Sequence, residues 1–177
     1  MQPVPPPPAS SPQLDEATLD FAAKIFDLAR HGDTAALISY LAQGLAANLR
    51  DHKGDSLLML AAYHGHDETV DSLLEHGADP ELRNNNGQTP IAGAAFKGHV
   101  AVVESLLRHG ASVEGASPDG KTALMVAAMF NRIAIVELLL AHGADLHARS
   151  DNGATALEAA RAMGAPDALA LLTARLG

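Results

Sequence analysis

The sequence contains no cysteine, and this absence excludes three kinds of chemistry. Without thiols the chain has no disulfide framework, no thiolate nucleophile and no cysteine-based zinc site. Aromatic residues are scarce as well, with four Phe, two Tyr and no Trp. Apolar residues nonetheless make up 47% of the 177 residues, which is enough for one domain with a core of its own.

Positive charge is the minority charge, because 12 Lys and Arg stand against 21 Asp and Glu, for a formal net charge of −9. This excess repels a phosphate backbone, and no basic stripe interrupts it. We therefore expect no nucleic-acid partner.

Long apolar runs are also missing. The stretch 133–141 is interrupted by Glu137 and is too short to span a bilayer. No secretory signal is readable, since the first basic residue is Lys24. We expect no membrane association and a cytoplasmic location.

Proline is concentrated at the start of the chain, where six of the ten prolines fall within the first twelve residues. This composition favours extended polyproline II and cannot bury enough side-chain surface to become ordered. We predict a disordered tail at residues 1–14 and a folded domain at 15–177. The tail is either a solubilising leader or a ligand for a proline-reading domain with an aromatic groove.

Glycine recurs with a period of 33 residues in three independent series, and Ala-Ala and Leu-Leu pairs keep the same step. The series are Gly54, Gly87, Gly120 and Gly153; Gly44, Gly77, Gly110 and Gly143; and Gly32, Gly65 and Gly98, which continue as Asn131 and Gly164. A fixed period of this length indicates stacked structural repeats. The predicted units are about 18–50, 51–83, 84–116, 117–149 and 150–177.

Each unit is predicted to hold two helices and a projecting turn. A hydroxyl residue that can cap the first helix follows the first glycine of the unit, and a residue that tolerates positive φ ends that helix. The caps are Ser56, Thr89, Thr122 and Thr155, and the ends are Gly65, Gly98, Asn131 and Gly164. A second amphipathic helix follows, and the connectors are polar and rich in turn residues. No unit buries its apolar face alone, so stacking must supply the core.

Two segments, GQTPIAGAAFKGHVAVVESLLRHGASV (87–113) and GKTALMVAAMFNRIAIVELLLAHGADL (120–146), resemble successive ankyrin repeats. The resemblance covers nearly everything from residue 18 onward. It implies an all-α fold, an ankyrin-repeat α-solenoid of helix-turn-helix units joined by projecting β-turn or hairpin loops. The alanine-rich first and last units, which prefer Arg to Lys, indicate a bacterial protein.

One departure from the family pattern is consistent along the chain. The histidine of the family's TPLH motif is replaced, and the replacing residues are Met59, Ala92, Met125 and Glu158. The resemblance therefore predicts that the hydrogen-bond ladder which this histidine provides between neighbouring repeats is missing.

Residues 115–122, GASPDGKT, satisfy the phosphate-loop pattern G-x-x-x-x-G-K-T. A phosphate loop follows a buried strand and precedes a long helix, whereas the residues before Gly115 are predicted to end a helix. Gly120 and Thr122 are also positions that every repeat requires. Nucleotide binding through Gly115–Thr122 is thus an alternative that the repeat pattern disfavours.

Nine histidines raise the question of a metal site. His76, His109 and His142 share one repeat position, where a histidine can bond the last carbonyls of a helix. No acidic or Cys ligands accompany the histidines at ordinary zinc spacing. We predict no metal and no cofactor, and we expect no enzymatic activity because an open solenoid surface does not converge catalytic groups in a closed pocket.

The resemblance implies that another protein binds in a concave groove, formed by the turn tips and the exposed face of the first helices. Matching this chain to the family register predicts the binding residues. They are His52, Lys53, Asp55, Tyr63 and His64; Asn85, Asn86, Gln88, Phe96 and Lys97; Asp119, Lys121, Met129 and Phe130; and Asp151, Asn152, Ala162 and Met163.

Three of the six aromatic residues, Tyr63, Phe96 and Phe130, fall at adjacent positions of this face. With Met129 and Met163, and also Met59 and Met125, they are predicted to form an apolar stripe inside a polar rim, as in interface cores. The alternative is that some of them only seal the gap between helices.

The sequence therefore predicts a protein–protein interaction module, an adaptor or inhibitor, that is a monomer. The competing structural hypothesis is self-association through the last helix, where Leu171 lacks cover.

Overall fold

In the computed structural model, which describes residues 15–177, the chain forms ten α-helices in five consecutive pairs. The tail predicted at 1–14 lies outside the described residues. Strands are absent from the described part of the chain, where only the bridges Arg50–Ser56 and Ala116–Thr122 form. The helices are α1 (Glu16–His31), α2 (Thr34–Ala42), α3 (Leu57–His64), α4 (Asp67–Glu75), α5 (Pro90–Lys97), α6 (Val100–Arg108), α7 (Ala123–Met129), α8 (Ile133–Ala141), α9 (Ala156–Met163) and α10 (Pro166–Leu176).

The helix pairs stack in two rows. The odd-numbered helices form an inner row in which each contacts the next, and the even-numbered helices form an outer row in the same way. Paired alanines of the inner row, such as Ala94 and Ala95, are fully buried and allow a close approach. Leu73, Leu106 and Leu139 of the outer row are fully buried against them. The prediction of an all-α solenoid with a stacked core is confirmed.

Helix caps explain where the inner helices begin. The Ser56 hydroxyl accepts from the Met59 N–H at 3.0 Å, and Thr122 accepts from Met125 at 3.3 Å. Thr155 forms a reciprocal capping box with Glu158. Three of the four predicted side-chain caps are therefore confirmed.

Thr89 does not make the cap bond that its position predicts. It is the N-cap residue of α5, but its buried hydroxyl has no hydrogen-bond partner among the described residues. The hydroxyl lies against Gly115 of the next hairpin instead. Pro90, whose φ is already suited to the first helical turn, starts α5 without that bond.

The inner helices end where the sequence predicts. Gly65, Gly98 and Gly164 have left-handed backbone, and Asn131, with φ 56°, takes the same conformation in the fourth repeat. The Asn131 side chain explains this exception, because its amide oxygen accepts from the Ala168 N–H and its amide nitrogen donates to Asp167, both at 2.9 Å. Asn131 thus also fastens the start of α10.

The neighbouring repeats are bridged by a ladder at another position than the TPLH histidine. The His66 ring nitrogen lies 2.8 Å from the Arg30 carbonyl, and that of His99 lies 3.1 Å from the Tyr63 carbonyl. Arg132 continues the series at 3.3 Å from the Phe96 carbonyl. The predicted lack of inter-repeat bonds is therefore wrong, because side chains at the start of the outer helices replace the missing histidines.

Hairpins project between the helix pairs. In the hairpin 51–55 the Asp51 N–H donates to the Asp55 carbonyl at 2.9 Å, and in 84–88 the Asn84 N–H donates to Gln88 at 3.1 Å. The hairpins 117–121 and 150–154 repeat this bond. The predicted turn tips are thus two-sided hairpins that stand in register along the solenoid.

At the C-terminal end, Leu171 is half-buried and packs against the core. This contact removes the reason given for self-association, and the more exposed apolar side chain of α10 is Leu176, at 41%. Within residues 15–177 no helix is long and apolar enough to cross a membrane.

Candidate functional site

The sixteen residues predicted from hairpin tips and from α3, α5 and α7 lie on one side of the solenoid, which we call the groove face. None of them is buried. Twelve are exposed, and the four that are half-buried are Asp55, Lys121, Met129 and Phe130. The same-face residues Ala162 and Met163 of α9 are exposed as well. The register of the repeats therefore identifies accessible side chains.

Three clefts follow one another along the groove face, between successive hairpins. The first has a volume of about 330 Å³, the second about 480 Å³ and the third about 140 Å³. Asn86 and Gln88 line both the first and the second cleft, while Lys121 and Met129 line both the second and the third. Because neighbouring clefts share walls, they form a continuous groove rather than separate pockets.

An aromatic row crosses the groove face. The rings of Tyr63 and Phe96 are stacked with centroids 6.3 Å apart and an interplanar angle of 20°. Phe96 and Phe130 meet edge to face at 4.6 Å and 89°. Tyr63 and Phe96 each remain 37% exposed. The three aromatics are thus in mutual contact, as predicted, and two of them present their rings to a partner rather than sealing the helix gap.

The second cleft is the more apolar part of the groove. Phe96 and Phe130 form one wall, and the polar rim consists of hairpin side chains. The further apolar lining is Ala92, Pro118, Val126 and Met129. A cavity of this type, with aromatic and aliphatic walls and a few polar groups at the edge, suits a large apolar side chain.

Two methionines assigned to the apolar stripe are not available to a partner. Met59 is 3% exposed and Met125 is 1% exposed. Both lie in the first turn of an inner helix and face the neighbouring repeat, where Gly93 leaves space beside the Met59 sulfur. Met163, at 51% exposure, and half-buried Met129 remain on the groove face.

The first cleft contains an ion pair at its base. The Arg30 guanidinium lies 3.1 Å from the carboxylate of Asp51, whose side chain is 6% exposed. The same carboxylate accepts from the backbone N–H groups of Lys53 and Asp55 at 2.9 and 3.0 Å. Asp51 is therefore satisfied within the hairpin.

Positive charge surrounds His64 at the rim of the first cleft. Partial burial lowers the pKa of His64, and the neighbouring cations His66, Lys97, Arg30 and His31 lower it further. The ammonium of Lys97 lies 5.1 Å from the centre of the Tyr63 ring, in cation–π contact. This end of the groove is thus locally positive although the chain is acidic overall.

The segment that matches the phosphate-loop pattern is an ordinary hairpin. The Ser117 N–H donates to the Lys121 carbonyl at 2.9 Å and the Gly120 N–H to the Ser117 carbonyl at 2.8 Å, so these donors do not converge on a shared anion. Lys121 is paired with Asp119, and hydrogen bonds from Lys121 and Ser117 lower the pKa of Asp119 to about 2. The segment precedes the seven-residue α7, so it lacks the long helix that a phosphate loop requires.

Four predicted residues lie outside the three clefts, and two of them fasten hairpin to hairpin. The Asn85 amide donates to the His52 carbonyl at 3.2 Å, and the Asp151 N–H donates to the Asp119 carbonyl at 2.9 Å. The side chains outside the clefts are those of His52, Asn85, Lys97 and Asp151. These contacts fix the spacing of the tips while the side chains stay exposed.

Sequence reasoning missed Arg30 and Asp51, which line the first cleft. The signal was present in the register, since Arg30 precedes Tyr63 by one period of 33 and Asp51 likewise precedes the hairpin residue Asn84. The first repeat lacks a hairpin of its own before α1, so the pattern was not extended back to it.

No group of three or more His, Asp or Glu side chains that could hold a metal ion occurs in residues 15–177.

Paired helices in two rows, joined by projecting hairpins at a period of 33 residues, define the class of helical-repeat solenoids. The chain belongs to the ankyrin-repeat family, because the profile of the family described as ankyrin repeats (3 copies) matches residues 25–116 and 112–177. Ankyrin repeats generally serve as protein–protein interaction modules and are generally non-enzymatic.

An ankyrin repeat protein of Pseudomonas aeruginosa is 59% identical to this chain over 52 residues. The match covers 29% of this chain and 30% of that protein. The source of this relative agrees with the bacterial character inferred from the composition.

Proposed function

We propose that the groove face binds a partner protein and that the chain acts as an adaptor or inhibitor, as a cytoplasmic monomer. The observation that carries this proposal is the aromatic row of Tyr63, Phe96 and Phe130, which lies in a continuous groove with a polar rim. Aromatic and Met side chains are enriched in the cores of protein interfaces. A rim of amides and charges around them is the usual arrangement of a binding surface.

Phe96 is the central member of this row, because it contacts both Tyr63 and Phe130. Its ring is part of the second cleft and is 37% exposed. A partner that covers the ring buries the remaining apolar surface in the middle of the interface, where truncation has the largest effect on affinity. Loss of such an anchor costs about 2 kcal/mol or more.

The test compares Phe96→Ala with Val100→Ala. Val100 begins α6 in the outer row and is 39% exposed, so it offers a similarly exposed apolar side chain away from the groove. Wild type and both variants are used as bait in lysate of the native cells, and the captured protein is then purified for calorimetric titration. We expect Phe96→Ala to raise the Kd roughly 30-fold or more and Val100→Ala to leave it unchanged, with helicity intact in both.

Equal binding by wild type and Phe96→Ala contradicts the proposal, as does a loss of binding in Val100→Ala alone. The second result would place the partner on the outer row.

A further inference from the structure

Two of the four lysines, Lys53 and Lys97, have no acidic neighbour. Within residues 15–177 no carboxylate lies within 4.0 Å of either ammonium group. The other cations along the groove differ, because Lys121 pairs with Asp119 and Arg30 pairs with Asp51. Lys53 lines the first cleft beside Tyr63, and Lys97 lies over the Tyr63 ring. Uncompensated positive charge is thus concentrated around one aromatic side chain.

Most of the negative charge lies elsewhere. Six acidic residues are on the outer helices: Asp67, Glu68, Asp71, Glu75, Glu104 and Glu137. The outer row is one helix diameter, roughly 10 Å, farther from a molecule in the groove. Screening at physiological ionic strength acts over about 8 Å, so a carboxylate in the first cleft interacts mainly with the two lysines. The acidic residues of that cleft are already bonded, Asp51 by Arg30 and Asp55 by the Asn84 amide at 2.9 Å.

The adjoining second cleft has the opposite character, with Phe96, Phe130 and Met129 in its walls. The exposed amide side chains of Asn86 and Gln88 stand between the two clefts and line both. An amide both donates and accepts hydrogen bonds, as a peptide backbone requires. The groove therefore offers, in sequence, a site for a carboxylate, polar contacts for a backbone and a site for a large apolar side chain.

We propose that the occupant of this groove is an extended segment of a partner protein that places an Asp or Glu carboxylate at Lys53 and Lys97 and a large apolar side chain in the second cleft. The centroid steps from Tyr63 to Phe96 and from Phe96 to Phe130 are 6.3 and 4.6 Å. An extended chain advances about 3.3 Å per residue, so the acidic and apolar residues are separated by about two to four positions. This inference rests on the proposed function, since it names the chemistry of the partner at the same site.

The test selects a random dodecapeptide library, displayed on phage, against the immobilised full chain. We expect the enriched peptides to carry Asp or Glu two to four positions from a Leu, Met, Phe or Trp. One enriched peptide and its Asn/Gln counterpart are then synthesised with a fluorophore and titrated by polarisation at low and high NaCl. The acidic peptide is expected to bind roughly ten-fold less well to the double variant Lys53→Gln, Lys97→Gln and equally well to Lys24→Gln, and its affinity falls with salt.

The outcomes separate this inference from the proposed function. Enriched peptides that are neutral or basic, and whose binding Phe96→Ala abolishes, overturn the acidic partner but leave the groove as the binding site. Enriched peptides that bind Phe96→Ala and wild type equally lie outside the groove and overturn both. Absence of any enrichment also counts against an extended occupant. A single-stranded oligonucleotide that displaces the acidic peptide with higher affinity overturns the inference in favour of nucleic acid.

Discussion

The Nε2 atom of His99 lies 3.1 Å from the backbone carbonyl oxygen of Tyr63, in the preceding repeat. Because a carbonyl only accepts, this nitrogen carries the hydrogen. Tyr63 is near the C-terminal end of α3, where carbonyls have no partner within the helix. Arg132 makes the corresponding contact to the Phe96 carbonyl. The ladder therefore fixes the backbone of two residues whose aromatic rings form the groove face, and links repeat stacking to the binding surface.

His99→Ala removes one rung of this ladder. We expect the free energy of unfolding to fall by about 1 to 2 kcal/mol, since a hydrogen bond is lost and the Tyr63 carbonyl loses its partner. Urea unfolding followed by circular dichroism measures the change. The matched control is His147→Ala, because the exposed His147 ring makes no hydrogen bond to the described residues; its effect is expected to stay within about 0.5 kcal/mol. Equal effects of the two substitutions would show that the ladder does not stabilise the repeats.

The same histidine explains why Gly65 must be a glycine. A Cβ at Gly65 would lie 2.7 Å from the His99 ring, and the residue has φ +85°. Gly110 has nearly the same φ, +87°, but no described atom lies within 4 Å of the added Cβ. Gly110→Ala therefore measures the backbone strain alone, about 1 kcal/mol, whereas Gly65→Ala adds a steric clash.

Thermal and urea unfolding of both variants tests this difference. We expect Gly65→Ala to lower the free energy of unfolding by about 1 to 2 kcal/mol more than Gly110→Ala does, because the His99 ring must move and weaken its bond to Tyr63. The same loss in both variants would refute the steric account.

The fold could be predicted almost completely from the sequence, because the repeats make one pattern visible several times. A glycine or Asn131 ends each inner helix of the internal repeats, where positive φ is required, and the sequence shows these residues at one spacing. The inter-repeat ladder was not predicted. His66 and His99 were recognised as one repeat position, but a ring that bonds a carbonyl 36 residues earlier follows from the stacking geometry, which the spacing does not contain.

The candidate site was predicted less completely for two physical reasons. Register shows which positions face the groove, and thus placed Tyr63, Phe96 and Phe130 together. It does not show how deep a side chain lies, so Met59 and Met125 were assigned to the surface although the neighbouring inner helix covers them. The uncompensated lysines were equally invisible, since the absence of an ion pair depends on distances between hairpins.

A further prediction concerns nucleotide binding through residues 115–122. We expect calorimetric titration of the wild-type chain with Mg²⁺-ATP to give no binding heat, because the Lys121 ammonium is paired with Asp119 and the loop N–H groups are used within the hairpin. Lys121→Ala should behave in the same way. An ATP affinity that is measurable in the wild type and lost in Lys121→Ala would contradict this expectation.

Asp71 of α4 ties the outer row together, since its carboxylate accepts from the Ser105 hydroxyl and from Arg108 at 2.7 Å, both on α6. Burial raises the pKa of Asp71, but hydrogen bonds from Ser105 and Arg108 outweigh it and lower the pKa below its ordinary value of 3.8. A carboxylate with a lowered folded-state pKa stabilises the fold above its unfolded pKa, and this contribution is lost as the pH falls through the folded pKa.

Asp71→Asn is therefore expected to lower the free energy of unfolding by about 1 kcal/mol at neutral pH. The difference from wild type should narrow as the pH falls below about 4, where the wild-type carboxylate becomes protonated and loses its charge-assisted bonds. Urea unfolding across this pH range measures the difference. Glu137→Gln on α8 is the control, because Glu137 is exposed and has no ion pair among the described residues. A loss in Asp71→Asn that stays constant with pH would mean that packing of α4 against α6, and not the charge of Asp71, holds these helices together.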